Sequence, residues 1–134
     1  GWYIGFRYGV KVTGITREFG SMLNSSNYMK IQFKEGTCEA VKNAILDFEK
    51  QADLRKEISD TWYDPTSYYG DKILSHGRIY LIEKKLNNTD SAVQHMTLAL
   101  EACQKKGWEV CSEEKIVYFV QRINKVAPIT CLNK

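Results

Sequence analysis

Hydrophobic residues recur at three- and four-residue steps along most of this chain, the spacing of one face of an α-helix. The clearest stripe runs from about Cys38 to Asp60, where apolar and charged positions separate onto two sides. Its inward positions are Val41, Ile45, Phe48, Ala52, Arg55 and Ile58. The pattern predicts a long helix over this segment.

The next helix is predicted to start at Asp64-Pro65, because Asp is a common N-cap and Pro suits the first helical position. It continues to Asn87-Asn88. Its stripe consists of Tyr69, Ile73, Gly77, Tyr80 and Lys84.

A further helix is predicted from Ser91 to about Lys106, with Gly107 as a left-handed C-cap. Its inward positions are Val93, Met96, Leu100 and Cys103. His95 lies opposite this stripe and is expected to be exposed.

The last helix is predicted to begin after Ser112, an N-cap followed by two acids, and to close at Pro128. Its inward face is Ile116, Phe119, Val120, Ile123 and Val126.

The N-terminal segment Trp2–Phe19 also follows a helical spacing, although its glycines and β-branched residues leave a short strand over Tyr8–Val12 as an alternative. Tyr28–Phe33 is interpreted as one short helical turn. Five helices with short connections predict an all-α fold, a single-domain five-helix bundle spanning residues 1–134.

The amino-acid composition is typical of a globular protein, because 43% of the 134 residues are hydrophobic and 26% are charged. A net charge of +3 gives no support for a nucleic-acid binder. The longest apolar runs are too short to span a bilayer.

The chain begins at Gly1 without Met, which we interpret as a mature secreted chain whose signal peptide has been removed. Sequons at Asn24 and Asn87 are compatible with that route.

Four cysteines occur without a C-x-x-C pair, so two disulfides are favoured over a zinc site. Four buried thiols in a cytosolic protein remain the alternative. Of the three possible connectivities, we favour Cys103 with Cys111, a short loop between two helices, and Cys38 with Cys131, which pins the C-terminal tail.

Catalytic, cofactor and metal motifs are absent from the sequence. The acid pair Glu113-Glu114 is explained by a helix start, and Asp60 and Asp64 lie in a turn. His76 is interpreted as a packing or surface residue rather than a base. We therefore expect no enzyme activity, no cofactor and no bound metal.

Aromatic residues crowd two places, and neighbouring positions on a helix cannot all face the core. The sequence therefore predicts an exposed aromatic surface for a partner, a membrane or self-association as a homodimer, although ordinary core packing is the alternative. Its aromatic members are Trp2, Tyr3, Phe6, Trp62, Tyr63, Tyr68 and Tyr69. The basic rim consists of Lys50, Arg55, Lys56, Lys72, Arg78, Lys84 and Lys85.

The segment Asn27–Phe48, NYMKIQFKEGTCEAVKNAILDF, resembles the corresponding region of abalone sperm lysin. There too a hydrophobic and basic stretch leads through Gly-Thr into a long helix. The run Ile123–Pro128 is similar to an Ile-Asn-Arg-hydrophobic run before Pro at that family's end. Chain length, the N-terminal aromatic segment and the helix count also agree.

The resemblance implies a secreted protein of the sperm acrosomal vesicle, a helical bundle without catalytic residues that acts in fertilisation. Lysin opens the egg envelope by stoichiometric binding, and its eighteen-kilodalton paralogue is associated with gamete membrane fusion. This chain departs from lysin in its nearly balanced charge and its four cysteines. Fusion is therefore favoured, with the egg membrane or an egg-coat glycoprotein as partner. Outside this family, a disulfide-stapled helical carrier or a cytokine-like ligand remains the alternative.

Overall fold

The structure is a computed structural model that describes residues 28–58 and 65–133. Within these ranges the chain forms five α-helices and a short 3-10 turn, with no strand. They are α1 (28–35), α2 (Cys38–Ile58), α3 (Pro65–Lys85), α4 (Thr89–Lys106), α5 (Glu113–Val126) and the turn Thr130–Asn133. The predicted all-α bundle is confirmed. The helix predicted over Trp2–Phe19 lies outside the described residues.

The helix ends follow from the capping residues. Ser112 accepts a hydrogen bond on its hydroxyl from the backbone N–H of Lys115 at 3.2 Å, which fixes the start of α5. Thr37 does the same for Ala40 at the start of α2, also at 3.2 Å. Gly107 ends α4 at a φ of 90°, a left-handed conformation that glycine adopts without strain.

α3 is the central helix of the bundle, in contact with α2, α4 and α5. One cluster of buried residues joins α3 to α4 and α5, and includes Ile73, Met96 and Ile116. A second cluster joins α3 to α1, α2 and the C-terminal turn. Its members are Phe33, Cys38, Val41, Ile45, Ile79, Ile82, Ile129 and Cys131. Both sides of α3 are therefore buried.

α4 packs on α3 through part of the predicted stripe, Met96 and Cys103, and through alanines that the prediction left out. The buried positions are Ala92, Met96, Ala99, Ala102 and Cys103. Val93, predicted to point inward, is 58% exposed, so that prediction is wrong. Alanines let the two helix backbones approach closely, and this selects the alanine face over the valine face.

The end of α5 also departs from the predicted stripe. Ile116 and Val120 are buried as predicted, but Val126 is 87% exposed. Ile129, which follows Pro128, is 1% exposed and fills the core at this end of the bundle. The chain therefore supplies its last core residues, Ile129 and Cys131, after the helix rather than from its final turn.

Both predicted disulfides are confirmed, Cys38–Cys131 and Cys103–Cys111. The first ties the C-terminal turn to the start of α2, and the second spans the α4–α5 connection. Two disulfides are compatible with a secreted protein. In the described part of the chain, no helix combines the length and the apolar character needed to cross a membrane.

Candidate functional site

The outer surface of α5 carries an aromatic and an aliphatic side chain on either side of an arginine. Tyr118 is 58% exposed and Val126 is 87% exposed, while the Arg122 guanidinium lies 5.7 Å from the Tyr118 ring centroid. Spacings of four residues place all three on one side of the helix. We call Tyr118, Arg122 and Val126 the α5 face.

A cleft of about 550 Å³ lies beside the α5 face, between the ends of α3 and α5 and the C-terminal turn. Its apolar lining comes from Leu81, Pro128, Ile129 and Leu132. Its polar lining comes from Lys85, Gln121, Asn124, Lys125 and Asn133. These described residues supply ammonium and amide groups and no carboxylate side chain. Cys38–Cys131 holds the turn that forms one wall.

Most of the aromatic residues predicted to form the binding surface lie outside the described residues. These are Trp2, Tyr3, Phe6, Trp62 and Tyr63. Tyr68 and Tyr69 are described, and both are half-buried. The Tyr68 hydroxyl donates a hydrogen bond to Asp53 at 2.5 Å, and Tyr69 packs against the α3–α4–α5 core. Their predicted role in binding stays a prediction.

The predicted basic rim does not form one continuous surface. Arg78 is 6% exposed, with its Nε donating to Asn124 Oδ1 at 3.1 Å, so its placement on the surface is wrong. Burial lowers the pKa of the Arg78 guanidinium to about 10. Lys72 is half-buried and paired with Asp53 at 2.9 Å. α3 is buried on both sides, which draws these two side chains inward.

The other members of the predicted rim differ in their exposure. Lys50, Lys84 and Lys85 are exposed, whereas Arg55 and Lys56 are half-buried. Of these, only Lys85 lines the cleft beside α5.

A buried polar cluster occupies the junction of α2, α3 and α4. His76 is 5% exposed, and its Nε2 lies 2.5 Å from Glu49 Oε2. The contact is close, but Glu49 Oε2 has no hydrogen-bond partner of suitable geometry in the described part of the chain, and it is an ion pair only when His76 is protonated. On its other side, His76 Nδ1 lies 2.9 Å from Nδ1 of His95. Lys72 adds a positive charge 3.5 Å from Glu49.

The pKa directions in this cluster follow from the contacts. Burial alone would raise the pKa of Glu49, but the close contact with His76 and the positive charge of Lys72 outweigh it and lower that pKa. The pKa of Asp53 is lowered in the same way, because Lys72 and the Tyr68 hydroxyl outweigh its burial. Burial and the neighbouring His76 lower the pKa of His95. The cluster thus favours ionised carboxylates and a neutral His95.

Chemically, this cluster can hold and share protons. Both ring nitrogens of His76 face protein groups, Glu49 on one side and His95 on the other. The prediction that His95 is exposed is wrong, because the ring is half-buried against His76. The α4 face that buries Ala92 and Met96 also carries His95 toward α3.

The α5 face was not among the predicted site residues. The four-residue spacing of Tyr118, Arg122 and Val126 could have indicated this face from the sequence. It was missed because Val126 was predicted to point inward. The chain matches no protein-family model, and comparisons with curated proteins and with solved structures give no significant match.

Proposed function

We propose that this protein is secreted from the sperm acrosome and acts without catalysis in sperm–egg membrane fusion. The α5 face is the observation that carries the proposal, because it presents Tyr118 and Val126 to the solvent around a positively charged Arg122. The fertilisation context comes from the sequence resemblance to abalone sperm lysin and its fusion-associated paralogue.

Physically, an interfacial binder places apolar and aromatic groups at the acyl boundary and basic groups among the lipid headgroups. Tyr118 has an apolar ring and a hydroxyl that can stay hydrated, which suits that boundary. Arg122, Lys125 and Lys85 lie around the same end of the molecule, where they can approach anionic headgroups. The acidic residues Glu113 and Glu114 lie in the first turn of α5, at its opposite end.

Vesicle binding tests this proposal. The purified protein is mixed with vesicles of neutral phosphatidylcholine, or of phosphatidylcholine with phosphatidylserine, and bound protein is measured by co-sedimentation. We expect binding to both, stronger to the anionic vesicles and weakened by salt because screening reduces the electrostatic part. Absence of binding to either vesicle would contradict the proposal.

A second candidate function, stoichiometric binding to an egg-coat glycoprotein, is supported by the cleft. Its ammonium and amide groups suit an acidic sugar, and its apolar lining suits the sugar ring. Here the measurement is release of glycoprotein from isolated egg coats without covalent cleavage. Intact coats at a stoichiometric excess of protein would contradict this function.

A further inference from the structure

His76 and His95 bring two titratable rings into direct contact. Their ring centroids lie 5.1 Å apart with planes 28° from parallel, and the two Nδ1 atoms lie 2.9 Å apart. His76 comes from the buried face of α3, and His95 comes from the middle of α4. The contact therefore joins the two helices that pack most closely together.

Glu49 determines where the protons lie. Its carboxylate lies 2.5 Å from His76 Nε2, so that nitrogen carries a proton, because a lone pair there would face a negative charge. When both rings are neutral, His76 Nδ1 has a free lone pair and His95 Nδ1 donates to it. One proton lies between the two rings.

The contact can survive the uptake of one further proton. If the further proton binds His95 Nε2 and the shared proton moves to His76 Nδ1, His76 becomes the cation; its Nδ1 then donates and His95 Nδ1 accepts, so the hydrogen bond reverses direction but remains. Glu49, close to the His76 ring, stabilises this cation. Protonating both rings places two N–H groups opposite each other at a distance of 2.9 Å, where no hydrogen bond is possible.

We propose that the His76–His95 contact is a proton-controlled latch between α3 and α4. It is closed while the two rings share one proton at the Nδ1 contact, and it opens in mild acid when both rings are protonated.

The charged groups around the latch act in opposite directions. Glu49 of α2 and Glu83 of α3 favour a cation at His95, whereas Lys42 of α2 and a charged His76 oppose it. Lys72 of α3 lies 3.5 Å from Glu49 and partly neutralises that carboxylate. Burial of His95 disfavours its cation as well, and burial is the largest effect on its pKa. Opening therefore requires a pH below the ordinary pKa of histidine, about 6.5.

Opening affects α4 locally. His95 lies one turn from Ala92 and Ala99, both fully packed against the core, so expulsion of a charged ring loosens this part of the helix. α5 is held separately by Ile116 and Val120. The backbone of residues 93–99 is therefore the segment expected to respond to acid.

Two NMR measurements on the intact protein test the latch. Imidazole nitrogen shifts recorded from pH 8 to pH 4.5 are expected to show two separated protonation steps, the second more than one pH unit below the first. Hydrogen exchange, corrected for its intrinsic pH dependence, is expected to show protection of residues 93–99 falling about tenfold or more from pH 7.5 to pH 5. The backbone amides of residues 116–123 in α5 serve as the internal reference, and their protection from exchange is expected to decrease less.

Two variants sharpen the test. His95→Gln keeps an amide donor for His76 but cannot be protonated, so the acid-dependent loss of protection should disappear. Gln94→His adds an exposed histidine to the same turn of α4 and should retain the wild-type response. Independent titration of both rings near pH 6.5, unchanged protection in the wild type, or equal loss in His95→Gln would overturn the latch. The wild-type titration decides the matter even if a variant fails to fold.

Discussion

Val120 of α5 packs directly on the backbone of Gly77 in α3, with no room for a side chain between them. A Cβ at Gly77 would overlap Val120 Cγ2 and would lie 3.2 Å from Ile116 Cγ2. Both of these α5 side chains are 0% exposed, so neither has free space to move into. The contact shows why a glycine occupies the buried face of a long helix.

Replacing Gly77 by Ala is expected to destabilise the fold by about 1–3 kcal/mol, because the added methyl overpacks the core. Gly70→Ala is the matched control in the same helix, where the new Cβ would meet only the flexible end of Lys106 at 3.3 Å. That change should be close to neutral, because the gain in helix propensity is offset where Lys106 Nζ, which donates to Thr66 O at 2.9 Å, has to shift. Urea unfolding followed by circular dichroism measures both. Equal stabilities for the two variants would contradict the packing described.

The two disulfides are expected to differ in their contribution to stability. Cys38 and Cys131 are 93 residues apart, whereas Cys103 and Cys111 are 8 apart, so the first closes a far longer loop in the unfolded chain. Loop entropy gives about 4–5 kcal/mol for the long loop and about 2–3 kcal/mol for the short one. Paired Cys-to-Ala variants, compared by urea unfolding, test the order. A larger decrease in the free energy of unfolding on removing Cys103–Cys111 than on removing Cys38–Cys131 would contradict this prediction.

Acid is expected to destabilise this protein progressively from neutral pH. The lowered pKa of His95 means that the unfolded chain takes up a proton first, so stability decreases as the pH falls through about 6.5. The lowered pKa values of Glu49 and Asp53 act with the same sign below about pH 5. All three groups bind protons more readily in the unfolded chain.

We expect the free energy of unfolding to fall by about 1 kcal/mol or more from pH 7 to pH 4, the equivalent of one pKa unit on one group. Urea unfolding at several pH values measures this slope, and Asp53→Asn should flatten it below about pH 5. An increase in the free energy of unfolding from pH 7 to pH 4 would contradict the lowered pKa values of His95, Glu49 and Asp53.

The helical pattern predicted most of the fold because helix boundaries depend on local chemistry. Ser112, Gly107 and Pro65 act through neighbouring backbone groups, so their effects can be recognised from sequence. The Cys103–Cys111 pairing was favoured among three possible connectivities because it closes a short loop between consecutive helices, which left Cys38 with Cys131. The segments containing Trp2 and Trp62 lie outside the described residues, and the helix predicted for the first of them stays a prediction.

The rotation of α4 about its axis could not be predicted from residue size alone. Choosing Val93 as an inward residue turned His95 outward, whereas the helix buries Ala92, one position earlier. Met96 and Cys103 are inward in both the predicted and the observed face, so the helix is rotated by less than the roughly 100° of one residue. This single difference explains both the exposed valine and the undetected histidine contact, because close packing against α3 favours alanine over a larger apolar residue.

The α5 face was obscured for a similar reason. Val126 continues the apolar spacing of Ile116 and Ile123, but the core at that end is filled by Ile129, which lies beyond the helix. Which of the two enters the core depends on the path of the chain after Pro128. The sequence pattern does not record that path.

Lipid mixing with matched surface variants tests the central claim most directly. The double variant Tyr118→Ser with Val126→Ser removes the apolar part of the α5 face. The control, Val93→Ser with Leu98→Ser, removes two side chains of α4 that are 58% and 41% exposed. Fluorescence dequenching between phosphatidylserine-containing vesicles reports mixing, and circular dichroism verifies that each variant is folded.

We predict that the α5 variant loses about 10- to 100-fold in lipid-mixing activity, the equivalent of burying one to two apolar side chains, while the α4 control stays within about twofold of wild type. Wild-type activity in the folded α5 variant would contradict the assignment of membrane binding to this face.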